Sequence, residues 1–348
     1  MALSVRPLPP KLEMPASRYP LQNEVRAVTL LGFHCSHEQL GPRALLTVVK
    51  DAEDAGFTAA MCSDHLSPWS ERQGQSGFAW SWLGSALEST DLSLGVVTAP
   101  GQRYHPVITA QAIATLEEMY PGRFWAALGS GEAMNEHITG DRWPSKPERK
   151  ARLRECVEVI RALLAGEEVS HRGLVTVDRA RLWSLPESPP PLIGAAVTRE
   201  TAEWVASWAD GLVTILQPMA DLADVIAAYR NAGGRGDVVV QTQVSVAPTH
   251  EQALRTAHDQ WRTNVFPPPL CWDLETVEHY DQAAEHVTPE AVAESVFVTA
   301  DPGELSGLID RISGQGVDRI YLHNVDKNQD FFLDTMAQHV LPQFMAGQ

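Results

Sequence analysis

AVTLLGFHCSHEQLGPRALLTVVKDAEDAGFTAAMCSDH (27–65) changes its hydrophobic period twice. AVTLLGFH (27–34) is a short β-rich run that reads as a strand. PRALLTVVKDAEDAG (42–56) is amphipathic at helical spacing, with proline at its start and glycine at its close. FTAAMCSDH (57–65) then reads as a second strand. A strand, a helix and a strand in this order form a crossover unit, which pairs its strands in parallel with a right-handed connection.

Outward from this unit the pattern repeats. SWLGSALEST (81–90) is a helix, LSLGVVTA (92–99) a strand, VITAQAIATLEEMYPG (107–122) a helix with a Pro-Gly stop, and RFWAALGSGE (123–132) a strand. The longest helix is expected in KPERKARLRECVEVIRALLAGEEV (146–169). In the second half PLIGAAV (191–197), DGLVTIL (210–216), DVVVQTQVSV (237–246) and DRIYLHNV (318–325) read as four more strands. Helices are expected between them at 198–209, 221–233 and 251–264, and in a final pair around 288–295 and 302–316. Eight strands alternating with helices, and no G-x-G-x-x-G after the first strand, favour a (β/α)8 TIM barrel over a doubly wound sheet. Two insertions interrupt the repeat: 168–190, a hairpin before strand five, and 265–288, after strand seven. Residues 1–22, rich in proline, read as an extended arm, and 23–348 as a single barrel domain.

Bulk composition narrows the partners. The net charge is −17, from 44 acidic and 27 basic residues, which disfavours nucleic acid and anionic membranes. Lysine occurs only at 11, 50, 146, 150 and 327, so a polyanionic ligand is expected to rely on arginine, helix N-termini or backbone amides. Cys35, Cys62, Cys156 and Cys271 form no CxxC pair, which fits a reducing cytoplasmic setting without disulfides or zinc. No apolar run approaches the ~18 residues of a membrane span, and the N-terminus lacks a signal-peptide core.

A barrel carries its active site at the C-terminal ends of its strands. There the first strand offers His34, Cys35 and Ser36, with His37 and Glu38 beyond; the second offers Ser63, Asp64 and His65, then Trp69. The third ends near Thr98, the fourth in Ser130, Gly131 and Glu132 with Asn135 a turn later, and the eighth in His323 and Asn324. Such convergence points to an enzyme. His65 titrates near neutrality and can exchange a proton, Glu132 can do so if burial raises its pKa, and Asp64 can accept from a flat heterocycle or orient a neighbour.

SDHLSPW (63–69), VVTAPGQRYHP (96–106) and GSGEAMNE (129–136), in this order, resemble the luciferase-like flavin and deazaflavin oxidoreductases, and among them the glucose-6-phosphate dehydrogenases that use coenzyme F420. FHCSHEQLGPR (33–43), RYHPVITAQAIATLEEMYPGR (103–123) and GSGEAMNEHITG (129–140) carry the likeness, which runs from about Gly32 to the C-terminus. The resemblance implies a luciferase-like barrel and hydride transfer, with His65 as catalytic base, Trp69 stacked over the transition state, and Glu132 and Glu38 as further active-site acids. It implies that Asp64 and His65 lie by the cofactor ring, and that a cis peptide between Val96 and Val97 supports the ring beside Thr98. It further implies that Ser130, Gly131, Glu132 and Asn135 touch the cofactor, and that Gly194, Ala195 and Ala196 lead its phosphate to a helix N-terminus at GAAVT (194–198). GFAWSWLGSA (77–86) and LHNVDKNQ (322–329) resemble a branch using FMN, so FMN is placed ahead of F420 as cofactor.

The departures bear on substrate. Gln217 and Pro218 stand where the sugar-phosphate enzymes carry a lysine, 265–288 has no Lys or Arg, and Ser295 stands in place of an arginine. A small, non-phosphorylated organic substrate is therefore expected, with a monooxygenase reaction left open. Two other readings compete: a metal-dependent barrel hydrolase using His34, His37, His65, Glu132 and His323, and a barrel that binds a ligand without catalysis. The first lacks an H-x-H pair, and the second leaves His65 and Glu132 without purpose, so no metal is expected. A homodimer is suggested by the apolar helix VITAQAIATLEEM (107–119).

Overall fold

A computed structural model describes residues 29–345. The expected arm at 1–22 and the first two residues of the first expected strand lie outside them. The strands are β1 (Leu30–Cys35), β2 (Ala59–Ser63), β3 (Ser93–Thr98), β4 (Phe124–Leu128), β5 (Val169–Arg172), β6 (Thr176–Ala180), β7 (Leu192–Ala195), β8 (Gly211–Ile215), β9 (Val238–Val246), β10 (Phe297–Thr299) and β11 (Arg319–Asn324). β1, β2, β3, β4, β7, β8, β9 and β11 pair in parallel and close on themselves, as a (β/α)8 barrel does. Each expected barrel strand is present, most with trimmed ends, while β1 runs one residue further to Cys35 and β9 keeps its expected end at Val246. The sequence reading missed β10, a three-residue strand that pairs with Val244–Val246 where β9 runs on past the barrel.

Closure rests on two kinds of contact. On the outside, alternate strand residues such as Phe33, Leu94, Val96 and Leu128 pack against the helices in the main apolar core. Inside, Met61, Trp125, Ile193, Val213, Val239 and Tyr321 fill the lumen. The two bulkiest of these dictate glycine opposite them. A Cβ on Gly95 would lie 2.0 Å from the Trp125 ring, and one on Gly32 would lie 2.3 Å from Tyr321.

The two insertions part company. β5 and β6 form the expected antiparallel hairpin, whose His171 pairs with Glu155 at 2.8 Å on the helix Lys146–Leu164, outside the barrel. The 265–288 segment folds instead into two short helices, Leu270–Asp273 and Val277–Ala283, over the C-terminal rim. One expectation fails in the strands. Among the described residues the cis peptide bond is Pro268–Pro269, and Val96–Val97 is trans. β3 keeps unbroken parallel register with β4 from Leu94 to Thr98, and that extended ladder requires trans peptides.

Candidate active site

The strand ends open into one cavity of about 520 Å³. Its chemistry centres on His65, just past β2. Nδ1 of His65 lies 2.6 Å from Glu38 Oε1, and Nε2 lies 3.7 Å from Glu132 Oε2. Glu38 is held in turn by Ser36, whose hydroxyl donates to Oε2 at 2.8 Å. Burial disfavours a charged imidazole, but the Glu38 contact and charge outweigh it, so the His65 pKa stands above its ordinary value. Glu38, also buried, is driven well below the usual carboxylate range by the same pairing. Glu132 moves the other way. Burial pushes its pKa up, Glu136 and Glu38 add to the rise, and His65 opposes it. The result is two carboxylates with opposite tendencies on either side of one imidazole, a standard arrangement for moving a proton.

Trp69 stands edge-on to His65, with ring centroids 5.2 Å apart, and its other side meets Tyr280 of the rim segment at 5.3 Å. Tyr280 is fully buried and donates to the carbonyl of Cys271 at 2.8 Å, which ties the cover to itself. Asn135 bridges the rim: it accepts from the Leu66 amide at 2.8 Å and donates to Glu132 at 3.2 Å.

Asp64 takes the second of its two expected roles. Its side chain is 0% exposed. It accepts from Trp80 (3.1 Å), Thr98 (2.9 Å) and Tyr104 (3.1 Å), and faces Arg103 at 3.6 Å. It therefore orients these neighbours while bordering the cavity. Arg103 extends the network by donating to the Asp64 carbonyl at 2.7 Å, while its backbone N–H donates to Glu136 at 2.6 Å. Sequence reasoning quoted the RYHP segment but missed Arg103, Tyr104 and Glu136 as parts of the site. A buried Arg flanked by two acids is invisible until the chain is folded.

Val97, Thr98, Ser130, Gly131, Ala195 and Ala196 border the cavity, as do Glu38, Asp64, His65, Trp69, Glu132 and Asn135. Val96 and Gly194 do not: Val96 packs in the outer core, and a Cβ on Gly194 would lie 2.3 Å from Val205. The alternation of a strand puts only one of two adjacent residues on the lumen side. The expected anion site at GAAVT is partly used by the protein, since Thr198 caps the following helix by accepting from the Thr201 amide. Lys146, Arg149 and Lys150 border the cavity near it, so an arginine and two of the five lysines stand beside the expected anion site. Lys150 reaches Glu200 at 2.8 Å, and Arg149 lies 3.6 Å from Asp273 of the cover. These cations sit at successive turns of one face of the helix Lys146–Leu164, a spacing that was legible but went unread.

A closed parallel barrel with an acid–imidazole–acid array at its C-terminal rim is the framework of a barrel oxidoreductase or hydrolase, and comparison with known proteins selects between these. The luciferase-like monooxygenase family profile matches residues 26–329, and the chain belongs to that family, whose members are oxidoreductases. It is 33% identical over 333 residues to an F420-dependent glucose-6-phosphate dehydrogenase of Beutenbergia cavernae, covering 91% of this chain and 98% of the relative. A second such dehydrogenase, from Tsukamurella paurometabola, is 31% identical over 330 residues, with 91% and 98% covered. Among solved structures, an F420-dependent secondary alcohol dehydrogenase in complex with an F420-acetone adduct superposes with a TM-score of 0.83 at 28% identity, covering 90% of this chain and 98% of that one.

Proposed function

We propose that this chain transfers hydride between coenzyme F420 and a small, non-phosphorylated substrate at an alcohol or carbonyl carbon. The observation that carries the reading is the Glu38–His65–Glu132 array beside Trp69, at the mouth of a cavity with a shelf of small residues. The F420 names of the relatives turn the sequence-based preference for FMN toward the deazaflavin.

The cavity suits such a group. Ala195, Ala196, Gly129 and Gly131 leave room for a flat ring, and Lys146, Arg149 and Lys150 would hold the anionic part. The Nε of Arg149 is buried with no partner within the protein, as an anion-binding guanidinium would be before its ligand arrives. When bound, F420 supplies the carbon that takes up or releases hydride. The protein supplies the proton. In carbonyl reduction, the imidazolium of His65 donates from Nε2 to the developing alkoxide while Glu38 keeps the ring oriented through Nδ1. In alcohol oxidation the neutral ring accepts that proton, so this direction gains as pH rises through the elevated His65 pKa. Trp69 and the 265–288 cover exclude water from the reacting atoms.

The substrate side of the cavity favours neutrality. Gln217, Pro218, Glu294 and Ser295 border it, and none of these side chains carries a positive charge to meet a phosphate. The test is to extract the bound cofactor for mass spectrometry, reload the protein with F420 or FMN, and follow cofactor absorbance with neutral alcohols and with glucose 6-phosphate. Reduction of F420 by a neutral alcohol, without inhibition by millimolar glucose 6-phosphate, is expected. Tight inhibition or turnover with glucose 6-phosphate overturns the substrate assignment, and loading with FMN alone overturns the cofactor assignment.

A further inference from the structure

The proton-transfer array leaves a second histidine cluster of the same cavity without work. Phe33 of β1 is in register with Leu322 of β11, so the next residues, His34 and His323, stand side by side. Their rings stack with centroids 4.3 Å apart at 22°. One strand further, His323 is in register with Gln243 of β9. The three therefore form one row across β1, β11 and β9, and all three border the cavity. Trp261 braces the row edge-on to His323 at 4.9 Å.

The hydrogen bonds around the row fix what it offers. Gln39 donates through its amide nitrogen to Gln260 and to the carbonyl of Val325, so its oxygen is the acceptor that faces His323 Nε2 at 2.8 Å. Nε2 of His323 thus carries the proton, and Nδ1 presents a lone pair. That Nδ1 has no partner in the protein, and neither nitrogen of His34 has one, although both residues are more than nine-tenths buried. Burial, with the neighbouring ring adding to it for His34, lowers both pKa values, that of His323 to about 4, against a smaller opposing pull from Glu38. Both rings are neutral at pH 7. The pair then has at least one free lone pair and one free N–H next to each other, each costly to leave unmet in a buried wall.

We propose that the His34–His323 pair is a hydroxyl subsite that holds a second, non-reacting hydroxyl of the substrate and so selects a neutral polyol. His323 Nδ1 accepts the hydroxyl proton and His34 donates to the hydroxyl oxygen. A phosphate dianion has no proton to give to the His323 lone pair, so the pair takes a hydroxyl and not a phosphate, and an unsubstituted monoalcohol has no second hydroxyl to place there. This inference rests on the neutral-substrate reading above and names the class within it.

The test uses the protein as purified, with isotopically labelled histidine rings followed by NMR during titration with D-glucose, and with isopropanol and glucose 6-phosphate as comparison probes. D-Glucose is expected to give saturable shifts at the His34 and His323 rings, with the other two probes weaker. His34→Phe, which keeps an aromatic ring but no polar atom, should weaken apparent D-glucose affinity on the order of tenfold, the worth of one or two buried hydrogen bonds. His34→Gln keeps a donor and an acceptor and should stay within about threefold of wild type. No saturable response at the two rings, or an unchanged affinity in His34→Phe, overturns the subsite. Hydride transfer is read separately by cofactor absorbance. A protein that oxidises neutral alcohols without the ring response keeps the proposed function and loses this subsite.

Discussion

At the residue scale the active site works by setting one pKa against another. The raised His65 pKa contributes stability below the ordinary histidine value of 6.5 and loses it as pH rises through the folded value. The depressed Glu38 pKa contributes stability above the ordinary value of 4.5 and loses it as pH falls. The pair therefore stabilises most between those two ordinary values. Glu38→Gln should lower the melting temperature most near pH 5.5 and progressively less toward pH 9; an equal loss at every pH would refute the linkage. The same variant removes the charge that lifts the His65 pKa, so its alcohol-oxidation profile should move to lower pH. His65→Ala should reduce turnover by about 10²–10⁴-fold, the usual contribution of a general acid–base. Asp64 belongs to a different class. Its buried carboxylate is one of two acids flanking Arg103, so Asp64→Ala leaves the guanidinium beside Glu136 but unpairs Trp80, Thr98 and Tyr104, and should cost about 1–3 kcal/mol in chemical denaturation.

Elements place these residues and carry their own consequences. β7 brings Ala195 to the lumen side, across from Gly129, whose Cβ would lie 3.7 Å from that of Ala195. Ala195→Glu should fill this shelf with a charged side chain and abolish cofactor retention while far-UV circular dichroism stays unchanged. A variant that still purifies with stoichiometric cofactor would remove the shelf from the binding site. The 265–288 cover is anchored at both sides. Asp273 accepts from Trp143 at 2.9 Å, and Asp281 accepts from Arg72 at 2.7 Å and from the Glu71 amide at 3.0 Å. Asp281→Ala should speed hydrogen exchange across 265–283 and leave the barrel strands protected, because the anchor lies outside the core. Uniformly faster exchange would mean that Asp281 supports the whole fold instead.

At the scale of the whole molecule, stability should report which cofactor the barrel accepts. A ligand bound only by the folded state adds about 2.7 kcal/mol at 100 times its Kd. F420 is expected to raise the melting temperature by several degrees, and FMN at the same concentration by less; the reverse order would return the assignment to FMN. No helix among the described residues is long and apolar enough to cross a membrane.

What the sequence determined alone was whatever depends on periodicity and chain order. Switches between strand and helix spacing marked the eight barrel strands, because a buried face repeats locally every two or every 3.6 residues. The barrel rule then sent His65, Glu132, Trp69 and Glu38 to one rim before any contact was known. β10 escaped because three residues carry no readable period. Which of Val96 and Val97, or of Gly194 and Ala195, faces the cavity was also undecided, since a one-residue shift in phase exchanges lumen for outer core. The Asp64–Arg103–Glu136 network and the His34–His323 stack needed the tertiary structure. Each joins side chains from separate crossover units, and only barrel closure, with its strand register, brings such residues within hydrogen-bonding distance.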